Sequence, residues 1–334
     1  MLEEQAGREP HWYDRRPDGR IACLLCPHAC IIADAGHGIC KVRFNRGGRM
    51  EIPYYGRISS MAVDPIEKKP LYHFHPGARI LSVGFVGCSF HCKFCQNWHI
   101  SQTTDIGTRF MAPREVVETA RRERSFGIAY TYSEPLIHAE YLLDTACLAR
   151  DAGLKNVLVS NGYLNPGPAE DVLGLMDAAN IDLKAFDEGF YRTETGGELE
   201  EVKRFITQAA RLTHLEVTTL IIPSKNADPA QVEGIARFLA SLDPSIPLHL
   251  SAYHPDYRYD IPATTAGSVQ ALAEVARRHL QYVYVGNLGA EDSDTRCQKC
   301  GATLVRRSGY AVRITGIRDG ECARCGTPVP IAGL

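Results

Sequence analysis

Cys88-Ser-Phe-His-Cys92-Lys-Phe-Cys95 is a C-x3-C-x2-C run, and it follows an apolar, strand-like segment, Ile80–Gly87. Three thiols this close in sequence are best read as converging on one centre. No fourth ligand is obvious in the loop, whereas structural zinc takes four. A partly filled zinc site and a set of buried thiols are the competing readings. A cubane of four irons and four sulfides suits three thiolates well, because one iron is then left without a protein ligand. That open iron can take a small molecule.

The chain holds 12 cysteines, and they are grouped. Cys23, Cys26, Cys30 and Cys40 fall in one short segment, and Cys297, Cys300, Cys322 and Cys325 in another. Without an export signal, tight C-x2-C pairs point to metal rather than to disulfides. The first quartet reads as a closed site. Structural zinc explains it, and an auxiliary iron–sulfur cluster explains it equally well. His28 reads as a bystander among four thiols. The second quartet forms two C-x2-C-Gly knuckles around β-like stretches at Ala302–Val305 and Ala311–Ile314. That pattern predicts a zinc ribbon, which stabilises or docks rather than catalyses. Its Arg306, Arg307, Arg313 and Arg318 read as a solvated basic face. Cys147 stands alone in an apolar helical pattern and reads as a small core residue.

These groups need a frame. Strand-like runs are Ile80–Gly87, Gly127–Tyr132, Asn156–Ser160, Ile181–Lys184, Leu215–Ile222, Leu248–Ala252 and Tyr282–Val285. Helical patterns lie between them at Pro113–Glu123, Pro135–Ala152, Pro168–Ala179, Glu198–Leu212, Pro229–Leu242 and Thr264–His279. Alternation of this kind predicts parallel βαβ units, in a partial or full (β/α) barrel or an open doubly wound sheet. Polar motifs follow six of the strands: Cys88, Tyr132-Ser-Glu-Pro135, Ser160-Asn-Gly162, Asp182-Leu-Lys184, Pro223-Ser-Lys225 and Tyr253-His-Pro255. In a barrel all six share the C-terminal rim, where chemistry collects. The connector Asp64–Gly77 is too rich in proline for a regular helix and is expected along the mouth of the site.

At 334 residues, with 45% hydrophobic and 23% charged residues, the composition is that of an ordinary soluble protein. Net charge is −2, so no bulk electrostatic case exists for nucleic acid or an anionic membrane. The start, Met1–Pro10, is charged and does not read as a signal peptide. No apolar stretch is long enough to span a bilayer, and a cytoplasmic location is expected.

The C-x3-C-x2-C run with Phe94 before its last cysteine resembles the signature of radical S-adenosylmethionine (SAM) enzymes. Together with Cys-Leu-Leu-Cys-Pro-His-Ala-Cys30, Asp64-Pro-Ile-Glu-Lys-Lys-Pro-Leu-Tyr-His-Phe74, the Gln-Asn-Trp98 that follows and the C-terminal knuckles, it looks like the radical SAM proteins of the AmmeMemoRadiSam system. That group is related to pyruvate formate-lyase activating enzymes. The resemblance implies a partial (β/α)6 barrel at 77–289, flanked by a four-cysteine segment at 1–76 and a zinc-ribbon-like module at 290–334. It implies a [4Fe-4S] cluster on Cys88, Cys92 and Cys95 that chelates SAM through its open iron, and an external electron donor. One electron then cleaves SAM to a 5′-deoxyadenosyl radical, which abstracts hydrogen from the substrate. Glu134 matches the turn that meets the SAM amine, and Ser133 stands where relatives carry a glycine. Ser160 and Asn161 match a polar pair near the ribose and methionine portion. Asp182 and Lys184 match a strand-end pair, and Lys184 is a candidate partner of the SAM carboxylate or of substrate. His254 matches a histidine near the ribose, and Phe94 would lie near adenine. Lys184 and His254 are thereby the candidate catalytic residues. The resemblance implies Memo-like and AMMECR-like partners and a protein substrate as one option. Modification of a small molecule or RNA, and a non-catalytic iron–sulfur or zinc scaffold, are the alternatives.

Overall fold

Residues 10–288 and 293–334 are described by the computed structural model. The expected features at Met1–Glu9, at the acidic residues 291–292 and at the junction 289/290 lie outside the described residues. The frame is one eight-stranded sheet. Its strands are β1 (Ser60–Pro65), β2 (Arg79–Gly84), β3 (Gly127–Thr131), β4 (Lys155–Ser160), β5 (Ala178–Asp182), β6 (His214–Ile221), β7 (Leu248–Ala252) and β8 (Val283–Gly286). Spatial order follows chain order from β1 to β8, with β1 and β8 at the two edges. From β2 to β8 every neighbour pair is parallel. β1 is antiparallel to β2, with Ser60 opposite Gly84 and Pro65 opposite Arg79. Helices α1 (Pro113–Arg122), α2 (Ala139–Asp151), α3 (Pro166–Leu173), α4 (Leu199–Leu212), α5 (Pro229–Leu242) and α6 (Ala266–Ala276) return the chain between the parallel strands. The α/β partial barrel therefore stands, with one more parallel strand than six.

Local chemistry explains the boundaries. Pro113 and Pro229 open α1 and α5, where a missing N–H costs nothing. Asp228 accepts from Ala230 N, and Thr265 from Ser268 N at the start of α6. β3 is buried along its whole length, as both-faces-covered parallel strands require. The expected helix Pro168–Ala179 is wrong at its end. α3 stops at Leu173 and is capped at Gly174, and Ala178 and Ala179 already belong to β5. Alanine favours helix, but both residues are buried between β4 and β6, and pairing overrides propensity. Cys147 is exposed on α2 and is not a core residue. It lies on the outer face of a helix whose inner face buries Leu142, Ala146 and Ala149.

The connector 64–77, expected along the mouth, reaches the cavity only through Lys68, Lys69 and Pro70. Pro65 lies beside Arg79, at the start of β2, so the connector crosses the foot of the sheet. Beyond Pro70 it meets the C-terminal segment. His75 N donates to Ala332 O at 2.8 Å and Ala332 N to His73 O at 2.8 Å. The buried Glu216 accepts from Tyr72 N (3.0 Å), His73 N (2.7 Å) and His249 Nε2 (2.7 Å). Arg307 is buried here and is no part of a solvated basic face. Its guanidinium donates to Tyr72 O, Ser293 O and Thr295 Oγ1 and stacks over the Tyr72 ring at 4.3 Å. Arg306, Arg313 and Arg318 are exposed, as expected. The C-terminal strands Thr303–Ser308 and Ala311–Ile314 pair antiparallel between the two knuckles. No helix among the described residues is long and apolar enough to cross a membrane.

Candidate active site

The loop after β2 begins with a residue that must be glycine. Gly87 has φ +77°, and a Cβ there would lie 2.6 Å from the Cys40 carbonyl oxygen. The loop is pinned from several sides. His28 Nε2 donates to Ser89 O at 2.8 Å, which gives this expected bystander a structural task. His91 N donates to Thr195 O and Gln102 Nε2 to Phe90 O. Cys88, Cys92 and Cys95 all line one cavity of about 330 Å³ enclosed by the sheet.

The sulfurs sit among donors suited to thiolates. Phe90 N lies 3.3 Å and Asn161 Nδ2 3.7 Å from Cys88 Sγ, and Ser101 Oγ is 3.1 Å from Cys95 Sγ. Burial nevertheless pushes the Cys88 thiol far up and Cys92 up to about 12, the latter against the pull of Lys184. Thiols so placed ionise only when a cation replaces their protons.

Glu134 joins the ends of β3 and β4. It is buried and accepts from Ser160 Oγ (2.6 Å), Asn161 N (2.9 Å) and Leu136 N (3.0 Å). Burial outweighs these donors and raises its pKa to about 7. Asn161 Nδ2 also donates to Ser89 Oγ, so the β4 turn is tied to the cysteine loop. Gly162, with φ +68° and Ile181 Cγ2 only 2.9 Å from a Cβ position, lets that turn close. Lys184 Nζ lies 2.8 Å from Asp182 Oδ2. Burial alone would lower the Lys184 pKa, but Asp182, with the Cys92 sulfur beside it, holds it above the ordinary lysine value. Phe94 is buried on the cavity wall, its ring 5.8 Å from Phe190 and 5.9 Å from Tyr259.

Of the residues expected here, Phe94, Ser133, Glu134, Ser160, Asn161, Asp182 and Lys184 line the cavity with the three cysteines. His254 does not. It is exposed on the rim, where Gln96 Nε2 donates to its Nε2 at 3.0 Å, and Gln96 is itself a lining residue. The sequence reading placed the connector 64–77 at the site but singled out none of its side chains. Lys68 and Lys69 reach into the cavity from the connector. Asp64 takes Lys69 Nζ (2.8 Å), Tyr132 OH (2.5 Å) and Ser82 Oγ (2.8 Å). Burial opposes ionisation of Asp64, yet these donors hold its carboxyl below the usual range. Tyr132 adopts φ +72°, a strained backbone for a bulky residue, which turns its ring towards Lys69. The signal was the Asp64-x3-Lys68-Lys69 spacing beside Tyr132.

The cavity suits an iron–sulfur cluster and SAM. Ser133 Oγ is buried without a partner, and three thiols face space instead of protein. Among the described residues, Cys297, Cys300, Cys322 and Cys325 form the set whose ligand atoms all lie within 4.8 Å of one another, the spacing of a single metal ion. The three loop sulfurs do not meet that single-ion spacing, which is too tight for a cubane.

A parallel-stranded sheet beside a cavity lined by three non-disulfide thiols, one buried and two half-buried, suits a cluster-binding α/β enzyme class. The radical SAM superfamily model matches residues 82–239. The chain is 38% identical over 325 residues, 95% of its own length and 96% of the relative's, to the uncharacterized protein MJ0808 of Methanocaldococcus jannaschii. It is 22% identical over 189 residues, 54% of this chain and 76% of the relative, to the pyruvate formate-lyase-activating enzyme of Clostridium pasteurianum. The crystal structure of a radical SAM methyltransferase from Sphaerobacter thermophilus superposes with a TM-score of 0.51 at 18% identity, over 64% of this chain and 67% of that one, a likeness of fold. The chain belongs to the radical SAM superfamily and is an enzyme.

Proposed function

We propose that this enzyme is of the activating type and takes a hydrogen atom from a glycine of a partner protein. The observation that carries the reading is the cavity, in which the cysteine loop meets Glu134, Ser160, Asn161, Asp182 and Lys184. A scaffold has no need of such a lining. When bound, the reduced cluster and SAM supply a 5′-deoxyadenosyl radical that takes hydrogen from substrate. Cys88, Cys92 and Cys95 hold the cluster. Lys184, kept cationic by Asp182, orients a carboxylate. Glu134 and Ser133 accept from an ammonium group, and such a cation favours the ionised carboxyl of Glu134. Ser160 and Asn161 serve ribose hydroxyls, and Phe94 offers a flat apolar face to adenine. His254 guards the rim with Gln96. The bodies are 1–76, 77–289 and 290–334, and the C-terminal quartet holds zinc. The setting is cytoplasmic, with an external one-electron donor and Memo-like and AMMECR-like partners. Support comes from the sequence resemblance to the AmmeMemoRadiSam group and from relatives named as activating enzymes, in Clostridium pasteurianum among others.

The test is anaerobic. The reconstituted, reduced protein is given SAM and assayed for 5′-deoxyadenosine beside Cys92→Ala. Product from the native chain alone is expected. Deuterated glycine in candidate partner proteins should then pass its label to 5′-deoxyadenosine. Label arriving from a small molecule or RNA instead would overturn the protein-substrate reading.

A further inference from the structure

The four cysteines before the sheet leave zinc and iron–sulfur open as a matter of sequence spacing, but their arrangement decides between them. Cys30 Sγ accepts a backbone N–H from Ile39 at 3.5 Å, while Cys23 and Cys26 are buried. Such an N–H···S contact suits a thiolate ligand of zinc and of iron alike, so the choice between them falls to the separation of the sulfurs. Arg43 lies close enough to act on both Cys23 and Cys40. Its terminal nitrogens are engaged by Glu140 at 2.7 and 2.9 Å, but its Nε is buried with no acceptor. A buried, unpaired donor beside four thiols points to an acceptor missing from the chain itself. The C-terminal quartet shows what a single-ion site looks like here, with all four sulfurs within 4.8 Å. Among the described residues the N-terminal four do not meet that single-ion spacing, which is too tight for a cubane.

From this geometry we infer that Cys23, Cys26, Cys30 and Cys40 hold a second [4Fe-4S] cluster, closed by four protein thiolates and seated against the SAM-binding loop. The seat is direct. The Cys40 carbonyl fills the place of a side chain at Gly87, and His28 donates to Ser89 O. With no iron left open, this cluster does not bind SAM.

Iron, sulfide and zinc are measured per chain after anaerobic reconstitution and desalting. The unaltered protein should hold about eight irons and about eight sulfides, as two cubanes require. About four irons with two zincs would overturn the inference. The Cys88→Ala/Cys92→Ala/Cys95→Ala variant should retain about four irons, with a reduced-state paramagnetic resonance signal that SAM leaves unchanged. The Cys26→Ala/Cys40→Ala variant should retain the SAM-sensitive signal alone. If the first variant does not fold, the metal count of the unaltered chain decides. Iron on the N-terminal quartet with none on the loop would sink the proposed function and leave this inference standing.

Discussion

Lys184 is nearly buried and lies against the Asp182 carboxylate and the Cys92 sulfur. Its charge faces the cavity from the end of β5. Replacing it with methionine keeps the stem and removes the charge. Charge-assisted hydrogen bonds contribute about 1.5–3 kcal/mol, so Lys184→Met should weaken SAM binding roughly 10- to 100-fold. A SAM titration followed by the cluster's paramagnetic resonance measures it, and an unchanged affinity would assign Lys184 to structure alone. At this scale the sequence was legible where chemistry is local. Three cysteines in eight residues speak for themselves, as do Asp182 and Lys184 at a strand end. It named the segments that hold Asp64, Lys69 and Tyr132 but not their meeting, which depends on an antiparallel edge strand and a left-handed tyrosine. It misjudged Cys147 because helix α2 is apolar enough to hide which face is inward.

Among the elements, the loop after β2 depends on its neighbour from before the sheet. Gly87→Ala would place a methyl 2.6 Å from the Cys40 carbonyl and force an L-residue into a left-handed backbone. The backbone term alone is about 1–2 kcal/mol, and the overlap adds to it. The variant should lose thermal stability and bind less iron. A variant with native melting and native iron content would show that the two segments are not coupled there. The strand–helix alternation made the parallel sheet readable, since each unit carries its own period and its own proline or capping residue. β1 escaped because Ser60–Pro65 is short, half-exposed and ends in proline, features of an edge strand that period alone does not reveal.

For the molecule as a whole, two buried histidines set an acid limit. Burial lowers the pKa of His73 and of His138 to about 4. The unfolded chain protonates these groups near pH 6.5 and the folded chain only near 4, so the unfolded state binds more protons in between. Stability is therefore full above pH 6.5 and falls on acidification towards 4, by up to roughly 3 kcal/mol per histidine. Unfolding curves between pH 7 and 4 measure the slope, and the His73→Gln/His138→Gln double variant should flatten it; an equally steep slope would locate the effect elsewhere. His73 also links the sheet to the C-terminal segment, through Pro330 O at 3.0 Å and Tyr284 OH at 2.7 Å. Loss of the C-terminal metal, by chelation or Cys322→Ser, should lower the melting temperature while SAM cleavage persists at low temperature, because the cavity opens at the other end. Loss of cleavage at full fold would mean that the two poles communicate. The same joint orders events during synthesis. β2 to β8 leave the ribosome before Arg307, Pro330 and Ala332, the partners that the connector groups Tyr72 O, His73 and His75 N take on this side, and these arrive only later in the chain. The foot of the barrel is thus finished by residues translated after it, and a ribosome stalled near residue 300 would release a sheet whose catalytic rim is in place above an unsealed base.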